Sequence, residues 1–102
     1  MAKLYISEYS DIAHQPYGAE AISAMQEPAI TDQAPITIAA SSAQSAAFNG
    51  ATRVVRLHTD AICSVLFGAD PTATANHKRL AANSTEYFGV EPGIKVAVIT
   101  NS

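Results

Sequence analysis

The chain has 102 residues, a formal net charge of −3 and one cysteine, which bounds it to a single domain without an intrachain disulfide. Alanine supplies 20 residues and Ile, Leu, Val and Phe together only 22, so one modest core is available, and a domain this small gains by assembling. The charge gives no reason to expect a nucleic-acid partner, which calls for a basic patch or excess.

Residues 3–9 alternate with period two, Leu4 and Ile6 on one face and Lys3, Tyr5, Ser7 and Tyr9 on the other, which predicts a half-buried first strand. Residues 12–18 and 20–26 read as two further strands around a turn at Gln15-Pro16-Tyr17-Gly18, with a short helix as the alternative for residues 19–25. Pro28 and Pro35 bracket residues 29–34, and proline's missing N–H assigns that stretch to a sheet edge or an ordered loop. A short strand follows at 35–39, and the small side chains of residues 41–47 predict a loop crossing between sheets, with a single helical turn as the alternative. Asn49-Gly50 predicts a tight turn with positive φ before a strand at 52–58. Thr59-Asp60 then turns into a strand at 62–67 that contains Cys63, expected to be buried and inert.

The second half repeats one phrase. Phe67-Gly68-Ala69-Asp70-Pro71 and Phe88-Gly89-Val90-Glu91-Pro92 each place an aromatic, a glycine, any residue, an acid and a proline at the close of an apolar run. The phrase predicts strand ends in a β-meander, with Asp70 and Glu91 accepting hydrogen bonds from backbone N–H groups at the corners. Pro92-Gly93 fits the two central positions of a type II turn. About seven or eight short strands result, the pattern of an all-β antiparallel sandwich or jelly roll spanning residues 1–102.

Chemistry is sparsely signalled. His14, His58 and His77 fall in separate segments without metal-ligand spacing, no serine stands in a nucleophile motif, and the five glycines are too dispersed to cradle a phosphate, so no catalytic, metal or cofactor site is expected. Residues 1–50 carry one lysine against five acids, and residues 51–102 five basic residues against four acids. Such asymmetry is either scattered solvated charge or a polarity that orients the subunit against neighbours. Tyr5, Tyr9 and Tyr17 gather near the N-terminus, where they suit either partner contact or packing over the end of the sandwich. Arg53 and Arg56, an odd number of residues apart, project from opposite faces of a strand, so at least one is offered to a partner or a neighbouring acid. Residues 1–6 show no secretory signal, and no segment is long and apolar enough to span a membrane, so a cytosol-like compartment is expected.

The run Val54-Val55-Arg56-Leu57-His58-Thr59-Asp60-Ala61-Ile62-Cys63, continued through the first phrase to Arg79-Leu80, Glu86-Tyr87-Phe88-Gly89-Val90 and residues 92–99, resembles small proteins encoded among tailed-bacteriophage structural genes. The resemblance covers about the last half of the chain. It implies a non-enzymatic virion component, foremost a capsid decoration or cement protein, assembled in the host cytoplasm, homo-oligomeric and partnered by the major capsid protein or other virion proteins. A head–tail connector, a tail component and a β-sandwich module for a small ligand or glycan are the alternatives.

Overall fold

In the computed structural model, which describes residues 2–14 and 21–102, the chain is all-β and its described residues include no helix. Eleven strands form among the described residues: β1 (Lys3–Tyr9), β2 (Ile12–His14), β3 (Ala21–Met25), β4 (Thr31–Asp32), β5 (Ile36–Thr37), β6 (Ala43–Gln44), β7 (Val54–Thr59), β8 (Cys63–Gly68), β9 (Lys78–Leu80), β10 (Ser84–Gly89) and β11 (Lys95–Thr100). This exceeds the seven or eight expected chiefly because β4 and β6 are two-residue pairings, too short to leave a periodic signature, whereas β5 falls within the strand expected at 35–39.

The strands make two antiparallel sheets in a sandwich-like arrangement. One has the order β10-β7-β1-β4, with β5 joining β1 beyond β4; the other runs β6-β11-β8-β9, and β2 and β3 pair as a separate ribbon. Between the sheets lies a core of Leu4, Ile6, Val55 and Leu57 from the first sheet against Cys63, Val65, Leu80, Val96 and Val98 from the second, with Ile38 and Phe48 from connecting segments. Period-two alternation produces it, each inward residue separated from the next by one facing out.

The second half is not a meander. Only β8 and β9 are both consecutive and paired; β7 to β8, β9 to β10 and β10 to β11 each pass from one sheet to the other. Two of these three corners have a geometry that does not favour pairing. Residues 60–62 supply no positive φ with which to close a tight hairpin, and at Pro92-Gly93 the glycine takes φ +80, the type II geometry, whose twist splays the flanking strands instead of pairing them. Nothing lies within 4 Å of a Cβ built on Gly93, so the cost of Gly93→Ala is backbone strain alone. A loss of about 1–2 kcal/mol is expected, read from the urea midpoint.

The repeated phrase does end strands, β8 at Gly68 and β10 at Gly89. Its aromatics also meet: Phe67 and Phe88, from opposite sheets, have ring centroids 5.1 Å apart, and Phe48 lies 6.4 Å from Phe67. Asp70 departs from expectation, accepting a hydrogen bond from the Gln44 side chain at 2.8 Å in place of a backbone N–H. The segment 41–47 does cross between sheets but contains β6, and it forms no helical turn. The Asn49-Gly50 turn forms without positive φ: Thr52 N–H donates to Asn49 O, and Ala51 N–H to Asn49 Oδ1, so the asparagine side chain closes the turn.

Glu8 is the buried carboxylate among the described residues, 2% exposed near the C-terminal end of β1. Its Oε1 accepts from Thr52 Oγ1 at 2.7 Å and Asn49 N–H at 2.8 Å, and its Oε2 from Gln33 Nε2 at 2.9 Å. Gln33 is in turn bonded to both backbone groups of Ala46, so one carboxylate ties β1 to two loops.

Candidate interaction face of the five-stranded sheet

The outer faces of the two sheets differ. Over the four-stranded sheet, the loop after β8 lies across β8 and β11: Ala73 N–H donates to Ser42 Oγ, and Asn101 Nδ2 bridges Ser64 Oγ and Ala75 O. Ser64 and Ala97 are thereby fully buried although they point away from the core. Small side chains in that loop let it lie close to the strands. Among the described residues, the outer face of the five-stranded sheet has no such cover over its middle rows and keeps both exposed large hydrophobic side chains, Tyr5 at 41% and Tyr87 at 53%.

Register builds this face. Ser7 of β1 stands opposite Arg56 of β7, and Arg56 opposite Tyr87 of β10, while Asp32 of β4 flanks Ser7, giving a row Asp32, Ser7, Arg56, Tyr87 across four strands. Beside it runs Tyr5, His58, Thr85. Ser7 Oγ donates to Asp32 Oδ1, His58 Nδ1 shares a 2.8 Å hydrogen bond with Thr85 Oγ1, and the Tyr5 and His58 rings are tilted at 6.2 Å. A groove of about 490 Å³, open to solvent, runs between Tyr5, Asp32, Arg56, His58 and Asp60. The Arg56 guanidinium has no hydrogen-bond or ion-pair partner among the described residues, so its five N–H donors remain available.

Of the residues expected at an interface, the structure brings Tyr5 and Arg56 to one groove. Arg53 lies just before β7, exposed, and its Nη1 donates to Gly50 O and Thr52 O, which commits it to the turn. Tyr17 lies outside the described residues. Tyr9 shares the outward parity of Tyr5 but is only 4% exposed, and its hydroxyl donates to Glu27 Oε2 at 2.8 Å. Tyr87, His58 and Asp32 were not anticipated. Alternation separates Tyr87 from Phe88, but only the β10 to β7 register reveals that it stands beside Arg56.

Burial, and then the hydrogen bond and charge of Glu27, raise the Tyr9 phenol above 10.0. The protonated phenol is thus favoured in the folded state, its contribution complete below pH 10 and lost as pH rises through the folded value. Thermal melts from pH 8 to 11.5 are expected to fall more steeply above pH 10 in the native chain than in Tyr9→Phe. Cys63 is fully buried, and burial raises its thiol above 9.0 despite a bond to Thr59, which keeps it a core side chain and not a nucleophile.

Among the described residues no group of three or more His, Cys, Asp or Glu is placed to hold a metal ion, and no helix is long and apolar enough to cross a membrane. Compared with protein-family models, with curated proteins and with solved structures, the chain matches none.

Proposed function

We propose that the chain is a non-enzymatic structural protein of a tailed-bacteriophage virion and decorates the head exterior, reinforcing the lattice through contact with the major capsid protein. The resemblance of its second half to phage structural proteins supports the reading. The observation that carries it on the physical side is the bare outer face of the five-stranded sheet, where Tyr5, Tyr87 and an unpartnered Arg56 stand together. Tyrosine and arginine are enriched where protein surfaces meet, because each combines a large apolar or planar body with a polar end. Repetition over a lattice converts individually shallow contacts into firm attachment. The same face suits a connector or tail position, where the neighbour is another virion protein.

Mass spectrometry of washed particles is expected to find the chain at a copy number comparable to that of the major capsid protein. Its absence from washed particles contradicts the proposal. A second reading, a β-sandwich module for a small ligand or glycan, is favoured by the groove with Tyr5 and His58 in its wall. A glycan array without hits removes its glycan form.

A further inference from the structure

Sheet edges expose unpaired backbone groups, and proteins usually blunt them with short strands, proline or charge. Three of the four edges of the two main sheets are blunted in this way. β4 and β5 have two residues each and lie among Pro28 and Pro35, β6 has two residues, and β9 has three, of which Lys78 and Arg79 are exposed. β10 differs. It is a six-residue edge strand, Ser84–Gly89, with no proline or basic residue, and Thr85, Glu86, Tyr87 and Gly89 are exposed.

The direction of its backbone groups follows from one bond. Val90 N–H donates to Arg53 O at 2.8 Å, and antiparallel alternation then turns the N–H and C=O of Ser84, Glu86 and Phe88 toward β7. Those of Thr85, Tyr87 and Gly89 point away from the sheet. They have no strand partner among the described residues, since β10 pairs with β7 alone.

We propose that this edge pairs with β10 of a second copy of the chain, antiparallel about a twofold axis at Tyr87, joining two five-stranded sheets into one continuous sheet. No other edge of the two main sheets is long enough to match it, which selects β10 itself as the complement. A twofold axis perpendicular to the sheet keeps both outer faces on one side, so it must pass through a residue position. Centring on Glu86 opposes two carboxylates. Centring on Tyr87 instead opposes Tyr87 to its own copy, Thr85 to Gly89 and Glu86 to Phe88, with no like charges directly opposed. The outward groups of Thr85, Tyr87 and Gly89 then make about six backbone hydrogen bonds between copies, two per hydrogen-bonded pair. Tyr87, the most exposed large hydrophobic side chain among the described residues, is covered by its counterpart. Such an isologous contact closes on itself and leaves no free β10 edge to propagate.

Sedimentation equilibrium of the purified chain, without particles, tests this independently of the virion reading. The native chain is expected to show a concentration-dependent species of twice its 10.7 kDa mass. Tyr87→Lys is expected to raise the dimer dissociation constant by roughly tenfold or more through like-charge opposition, and an equimolar mixture with Tyr87→Glu to restore a heterodimer. Amide exchange on the native chain supplies a readout that needs no variant: protection at Thr85, Tyr87 and Gly89 is expected to grow with protein concentration. A native chain that stays monomeric at 100 μM, taken as roughly a hundredfold above a micromolar dissociation constant, overturns the proposal. So does a dimer that Tyr87→Lys leaves unchanged.

Discussion

Glu8→Ala is expected to destabilise the fold by about 3 kcal/mol, because it deprives the buried Thr52 Oγ1 and the partly buried Asn49 N–H and Gln33 amide of one shared acceptor, and a buried donor left unsatisfied costs about 1–3 kcal/mol, a partly buried one less. The damage extends beyond the cavity. Gln33 also holds Ala46, so the loops carrying residues 33 and 49 both lose their anchor on β1. Glu8→Gln keeps the shape and one acceptor oxygen but turns an N–H₂ group toward at least one donor. A smaller loss of about 1–2 kcal/mol is expected for it. Urea titration checks both: at an m-value of about 1 kcal/mol/M, the alanine variant moves the midpoint by roughly 3 M or unfolds the chain in buffer, and the glutamine variant moves it by about half as much or less. Equal losses for the two variants contradict an acceptor role and reduce Glu8 to a packing residue.

Phe67→Ala is expected to cost about 3 kcal/mol, the lower end of the range for a buried phenylalanine, because Phe67 is only partly buried. Its ring stands between Phe48 and Phe88 and so joins the last residues of β8 to those of β10 across the two sheets. The partnership is measurable separately from the area buried. A double-mutant cycle of Phe67→Ala with Phe88→Ala is expected to give a coupling of about 0.5–1.5 kcal/mol, and strict additivity contradicts the ring contact.

These two sites illustrate what was legible in the sequence. The alternation of Leu4 and Ile6 with Tyr5 and Ser7, and of Val55 and Leu57 with Arg56 and His58, identified the strands and their inward residues, because burial on one face of a strand is written locally. The Phe-Gly phrase likewise marked two strand ends. What it did not contain was the pairing: Phe67 and Phe88 meet because β8 and β10 belong to different sheets, the chain crossing between them at residues 81–83, and which strands pair is not written locally. Glu8 continued the inward parity of Leu4 and Ile6, but its donors come from residues 25, 41 and 44 positions away and leave no local trace.

The interaction face was half legible for the same reason. Tyr5 and Arg56 stood out by type, and the structure brings them together. Tyr87 entered only when the β10 to β7 register set it opposite Arg56, and Tyr9 left when its outward position proved covered, with its hydroxyl held by Glu27. Residue type identified candidates; neighbouring strands decided which of them face solvent.

The proposal that this face works against a virion lattice is tested most directly by a residue-resolution map of the phage particle to which it assigns the chain. The account predicts the sandwich seated on the head exterior, with Tyr5, Arg56 and Tyr87 turned toward neighbouring protein. A map in which the chain is absent from the particle, or in which that face looks out to solvent while the loop-covered sheet makes the contact, contradicts it.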